Sequence, residues 1–129
     1  MQERELIIQQ WFEMWLNNDG ANVDEIFAED CIYIESWGPK YVGRDAVKRW
    51  FADWNQKGRV LVWDIKQYFH KPGQSMVEWY FECEIEDDQP EGFDGVSLIV
   101  WDEHDRICYL KEFGCKLPNY EPYDCDEEE

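Results

Sequence analysis

An α+β fold is predicted, on three observations. The first 58 residues carry two stretches of helical periodicity. Everything after Gly58 alternates apolar and polar residues in the manner of strands, and the turns between those later stretches are short, so they pair as an antiparallel meander. The first helix spans about Glu3 to Asn18. Ile8, Trp11, Phe12, Trp15 and Leu16 fall three and four residues apart and make one apolar stripe. Asn17-Asn-Asp-Gly20 stops it, with Gly20 available for the left-handed cap position. Asn22-Val-Asp-Glu25 has the form of a capping box and opens a short second helix through Phe27.

Cys31-Ile-Tyr-Ile-Glu-Ser-Trp-Gly38 reads as the first strand, ended by Trp37-Gly-Pro39. Gly43-Arg-Asp-Ala46 opens a third helix whose buried face is Ala46, Val47, Trp50, Phe51 and Trp54, and Gly58 ends it. Four strands follow: Arg59 to Phe69, Ser75 to Glu86, Phe93 to Asp102 and Arg106 to Leu117. The second of these is the clearest. There Val77, Trp79, Phe81, Cys83 and Ile85 alternate with Glu78, Glu82, Glu84 and Glu86. The expected organisation is a single domain over residues 1–118 and an acidic tail over 119–129.

The charge narrows the partners. Thirty acidic against twelve basic residues leave a formal net charge of −18, and no basic stripe exists to displace counterions from phosphates. Neither nucleic acid nor an anionic membrane is expected as a partner. No apolar run approaches membrane-spanning length, and Met1-Gln-Glu-Arg-Glu5 does not have the form of a secretion signal. Five cysteines without a Cys-x-x-Cys pair fit neither a zinc site nor a disulfide framework. Free thiols in the cytoplasm are expected, with Cys31, Cys83 and Cys108 as small core hydrophobes. No cofactor or metal is expected: phosphate loop, nucleophile elbow and zinc spacing are all absent. His70 and His104 stand at turns without ligand companions and are expected to be exposed.

Eight tryptophans, within a chain that is 17% aromatic, point to an aromatic core or an aromatic-lined cavity. Trp11, Trp15, Trp50 and Trp54 sit at i, i+4 spacing on the helices. Glu35 is the residue out of place. Strand alternation puts it on one face with Tyr33 and Trp37. Facing a pocket, its carboxylate would lose hydration against aromatic walls, and its pKa would rise toward a range useful for proton transfer. The other reading is a carboxylate anchored near a cavity mouth by an arginine, a lysine or the backbone. Glu112 shares a face with Cys108 and Leu110. There it either approaches Glu35, so that the pair holds one proton, or forms a salt bridge with Lys111 or Lys116.

Three stretches resemble the nuclear transport factor 2-like superfamily, which includes ketosteroid isomerases and SnoaL-like polyketide cyclases. They are Ile26-Phe-Ala-Glu-Asp30, Tyr41-Val-Gly-Arg-Asp-Ala-Val47, and Phe93-Asp-Gly-Val-Ser97 followed by Arg106-Ile-Cys-Tyr-Leu-Lys-Glu-Phe113. The resemblance implies a cystatin-like, conical α+β barrel, in which a strongly bent and mostly antiparallel sheet wraps a long N-terminal helix around a cavity. It also implies a homodimer. In ketosteroid isomerases the strand after this turn carries the proton-shuttling aspartate, and Glu35 falls at that position. Two further residues of that site do not carry over. The tyrosine that donates to the oxyanion lands near Phe12, and the protonated aspartic acid lands near Ser97. Steroid isomerisation is therefore disfavoured.

The resulting expectation is a pocket formed by Phe12, Trp15, Tyr33 and Trp37 with Trp50, Trp54 and Trp79, and with Ser97 and Glu112 as its further polar members. Glu35 is the candidate catalytic residue. The ligand is expected to be a small apolar or aromatic molecule. Either the protein is a metal-free cyclase, isomerase or dehydratase working by carboxylate proton transfer, or it is a non-catalytic ligand-binding or protein-interaction module on the same scaffold.

Overall fold

Helix α1 (Gln2–Asn17) lies against the sheet and buries Ile8, Trp11, Phe12, Met14 and Trp15. This computed structural model describes residues 2–123; the acidic run from Asp124 and the fifth cysteine, Cys125, lie outside the described residues. Met14 takes the place expected of Leu16, which is 38% exposed, because the stripe drifts around the helix at 3.6 residues per turn. Asn18, at φ 53°, supplies the left-handed residue that ends the helix, so Gly20 is not the cap. Helix α2 (Val23–Ile26) begins at Asn22 without a side-chain capping bond. The capping-box reading therefore fails, and the turn is held by backbone contacts to Asn22.

Strand β1 (Phe27–Ile34) starts four residues earlier than its apolar run suggested and ends before Glu35. A tight turn, in which Glu35 N–H donates to the Pro39 carbonyl, leads into β2 (Lys40–Val42), a three-residue strand that sequence pattern did not reveal. Helix α3 (Arg44–Lys57) runs between Gly43 and Gly58 as expected. It buries Val47 and Phe51 fully and Trp50 and Trp54 in part. Strands β3 (Gly58–Lys71), β4 (Gln74–Ile85), β5 (Glu91–Trp101) and β6 (Ile107–Lys116) form the meander.

The sheet order is β2-β1-β6-β5-β4-β3, and it does not close on itself. Every pairing is antiparallel except β1 with β6, where Tyr33 lies opposite Leu110 and Ile34 opposite Lys111. Register shifts within β3 and between β5 and β6 curl the sheet around α1. Trp11 sits at the centre of the core, 1% exposed, with the rings of Phe27, Trp15 and Tyr33 at 4.8, 5.6 and 5.9 Å in edge-to-face contact. Each such side chain contributes roughly 1.5–3 kcal/mol by leaving water.

His70 departs from expectation. β3 runs past it, and its ring is mostly buried, stacked on Tyr68, with Nδ1 2.8 Å from Ser75 Oγ and Nε2 2.8 Å from Glu5 Oε2. Ser75 Oγ also accepts from Trp101 Nε1, so this polar joint ties α1 to the β3–β4 hairpin. His104 is exposed at its turn, as its position implied. No described helix is long and apolar enough to cross a membrane.

Candidate functional site

The curl leaves a cavity of about 720 Å³ between α1, α3 and the inner face of the sheet. Alternation along β6 turns Leu110 and Glu112 inward. Glu112 thus joins an inner row with Ser97 of β5 and Val77 of β4. Its side chain is buried but reaches the cavity wall, in a residue only 9% exposed. Tyr33 Oη donates to Glu112 Oε2 at 2.5 Å and accepts from Trp11 Nε1, and the Ser36 backbone N–H also donates to the carboxylate. Burial pushes the Glu112 pKa up to about 8. The Tyr33 and Ser36 hydrogen bonds oppose the rise, and the neighbouring charge of Glu35 adds to it. Burial also holds the Tyr33 hydroxyl well above the ordinary tyrosine range, so it remains a donor.

Glu35 reaches the same end of the cavity by a different route. β1 runs parallel to β6 with Ile34 opposite Lys111, and the residue that follows each, Glu35 just past the end of β1 and Glu112 within β6, lines the same cavity, where the charge of Glu35 acts on Glu112. Tyr41, opposite Tyr33 on β2, donates to Glu35 Oε1 at 2.8 Å, and its own ring is stacked on Trp50 at 4.6 Å. Burial raises the pKa of Glu35, while hydrogen bonds from Tyr41 and Trp37 moderate the rise. Among the described residues neither carboxylate forms an ion pair. The salt bridge considered for Glu112 is absent. Lys111 stands on the outer face over the Phe113 ring, and no ion pair joins Glu112 to Lys116 at the cavity rim. The arrangement is two carboxylates in an aromatic enclosure without an ion pair to either among the described residues, one of them with its pKa pushed up to about 8.

Of the residues expected at the pocket, Glu35, Glu112, Trp15, Trp50, Trp54 and Trp79 line this cavity. Trp37 touches it only at the mouth and is 76% exposed, because the strand ends at Ile34 and alternation no longer governs its direction. Three others do not line it. Phe12 is covered by Trp63, stacked on it at 3.9 Å. Tyr33 is buried and hydrogen-bonded to Glu112, and Ser97 is buried with its hydroxyl accepting from Trp79 Nε1 at 2.9 Å. Sequence reasoning missed much of the rest of the wall, above all the apolar residues Trp63, Phe81, Cys83 and Phe93. Phe81 and Cys83 continue the alternation that turns Trp79 inward, so that signal was present. Cys31, Cys83, Cys108 and Cys115 are free thiols. No group of three or more histidine, cysteine or acidic side chains able to hold a metal occurs among the described residues.

A curled sheet on a long helix, enclosing an aromatic-walled cavity that two carboxylates enter, defines a protein of the nuclear transport factor 2-like superfamily. Within it, the chain belongs to the SnoaL-like domain family, whose model matches residues 8–110. Solved structures share the fold at low identity. One is a protein with a ketosteroid isomerase-like fold from Catenulispora acidiphila, in complex with trimethylamine; it is 18% identical, with 83% of each chain covered and a TM-score of 0.70. Another, described as a polyketide cyclase, comes from Xanthomonas campestris; it is 17% identical, with 87% of this chain and 90% of that one covered and a TM-score of 0.73. A third is an LEH-like epoxide hydrolase of M. tuberculosis, 13% identical, covering 88% and 84% with a TM-score of 0.78. No curated protein matches the chain.

Proposed function

We propose that the cavity is a metal-free acid–base site in which Glu35 and Glu112 move a proton on a small, apolar, cyclic substrate, as a cyclase, isomerase or dehydratase requires. The observation that carries this reading is the buried Glu112, raised to about 8 beside a second carboxylate with no cation between them. Two like charges in one dry site share a proton. Glu112, the more deeply buried and more strongly shifted of the two, keeps the shared proton and Glu35 is the first to ionise, which supplies an acid and a base in one cavity. Glu35 takes a proton from carbon next to a carbonyl, and Glu112 gives its proton to the carbonyl oxygen, yielding the enol. The reverse transfers restore both groups. Similarity to a polyketide cyclase and to a ketosteroid isomerase-like protein supports proton chemistry on this scaffold, and the trimethylamine complex supports a small-molecule ligand.

Deuterium exchange into the α-carbons of 2-tetralone, followed by proton NMR, tests the reading. Wild type is expected to accelerate exchange, and Glu35→Gln to lose about 100-fold or more of that acceleration. Glu112→Gln keeps a hydrogen-bond donor and is expected to lose less. Equal rates for wild type and Glu35→Gln would retire Glu35 as the base and leave a ligand-binding module as the reading.

A homodimer is proposed from the outer face of the sheet. Phe69, Met76 and Leu98 lie in one cross-strand row, with Val96 and Phe113 in the next but one, and Phe69 and Phe113 are 56% and 48% exposed. Apolar rows of this kind seek cover. Light scattering at micromolar concentration is expected to return twice the chain mass, and Phe113→Glu to return the monomer. A monomeric wild type would rule the dimer out.

A further inference from the structure

The carboxylate pair and the walls around it have the same electrostatic preference. Trp15, Trp50, Trp54, Trp63 and Trp79 surround the cavity, and an indole face carries the negative side of a quadrupole. Glu35 and Glu112 close one end with no cation paired to them among the described residues. A neutral ligand filling this space gains apolar contact and can accept a hydrogen bond from Glu112, but it strips water from the ionised carboxylate without supplying a counter-charge. An anion is repelled by the pair and by a chain of formal net charge −18. A ligand with a positive nitrogen inside an apolar shell gains from the carboxylate, the indole faces and the long-range field together.

We propose that the cavity selects a small organic cation, an alkylammonium whose charge lies at the Glu35–Glu112 end and whose carbon groups rest on the tryptophan faces. This rests on the reading of the two carboxylates as one functional pair and names the ligand class for it. Near neutral pH the pair carries one net negative charge, so a monocation balances Glu35 and leaves Glu112 its proton. The other titratable groups that bond to the pair or line the cavity are Tyr33 of β1, Tyr41 of β2, Cys83 of β4, Glu91 of β5, and Cys115 and Lys116 of β6. Both tyrosines are shifted upward, and burial pushes the Cys83 thiol up to about 11, so these three stay neutral while Glu112 titrates. Ionisation of Glu112 therefore adds a second charge facing the ligand, and cation affinity rises with pH through that transition.

The test compares choline with 3,3-dimethylbutan-1-ol, which replaces the quaternary nitrogen by carbon at nearly constant shape, by calorimetry on the full chain at pH 6 and pH 9. Choline is expected to bind at least about tenfold more tightly than the alcohol, a difference of about 1.4 kcal/mol, and more tightly at pH 9 than at pH 6. Neither probe has a group that titrates in this range, so protons released on choline binding at pH 8 come from the protein. Glu112→Gln is expected to remove both the release and the pH dependence. Trp50→Leu is expected to weaken choline more than the alcohol, whose binding serves as the folding control. Equal affinities, tighter binding of the alcohol, or no choline binding at millimolar concentration would overturn the proposal. So would choline binding that neither Glu112→Gln nor Trp50→Leu changes, since that is attraction to the acidic surface alone. If choline fails while Glu35→Gln still abolishes deuterium exchange, the ligand class falls and the acid–base reading stands.

Discussion

Wild-type protein is expected to lose stability steadily as pH rises from about 5 to 8, and Glu112→Gln to lose clearly less over the same window. The sign follows from the direction of the shift. Glu112 titrates at 4.5 when unperturbed and near 8 in the fold, so the folded state binds its proton more tightly. Stability from this group is fully present below 4.5, falls as pH rises toward 8 and levels off above it. Each pH unit inside the window costs up to about 1.4 kcal/mol, so the total is on the order of 4 kcal/mol. Glu35 contributes in the same direction, and so does general repulsion among the acidic residues. The informative quantity is therefore the difference between wild type and variant in urea denaturation at several pH values. Glutamine imitates the protonated acid beside Tyr33, so the variant should be the more stable protein at pH 8. If the variant is instead the less stable one, or both slopes match, Glu112 is ionised in the fold throughout this range.

Gly95→Ala is expected to cost about 3 kcal/mol by overpacking and to weaken binding in the cavity. Gly95 lies directly opposite Trp79 in the β4–β5 register, and the far edge of the indole's six-membered ring occupies the space beside it. A Cβ at residue 95 would sit 2.7 Å from Trp79 Cζ2 and closer still to Cη2 and Cζ3. The ring cannot slide away easily. Its Nε1 is bonded to Ser97, and the rings of Trp63, Phe93 and Phe81 stand 5.6, 5.8 and 6.3 Å from it. Displacement into the cavity is the remaining way out. Trp79→Phe removes the atoms that clash, so adding it to Gly95→Ala should recover part of the loss in a double-mutant cycle. Additive losses, or a Gly95→Ala protein as stable as wild type, would show that the Trp79–Gly95 contact does not hold this wall.

The helices and the four-strand meander were legible because each signals its own period. α1 and α3 repeat at helical spacing, and β4 alternates over ten residues. What escaped depended on distant parts of the chain. β2 is too short to carry a period, and its partner is β1. The parallel pairing that brings Glu35 and Glu112 to one cavity joins segments 77 residues apart in sequence, so local pattern put each carboxylate on a strand face and left open both which way it turned and whether the two meet. The same gap left the salt-bridge reading of Glu112 open. Trp63 was missed for another reason. β3 shifts register between Val60 and Val62 and again between Ile65 and Gln67, which breaks the alternation that would have turned its indole inward. His70 was read as a turn residue because Lys71-Pro-Gly-Gln74 drew the strand end too early, and its partner Glu5 lies on α1.

The order of strands divides the labour of the cavity along the chain. Both carboxylates and their tyrosine donors come from β1, β2, the turn that joins them and β6, while the walls on the other side, Trp63, Trp79, Phe81, Cys83 and Phe93, come from the contiguous stretch β3 to β5. Within that stretch Phe81 pairs directly with both Trp63 and Phe93, so one cassette of roughly thirty residues sets the size and shape of that side. Diversification confined to residues 63–93 can therefore change which molecules are accommodated without altering the groups that carry protons. For a library design, this lets one side of the cavity wall be varied while the two carboxylates and their donors stay fixed.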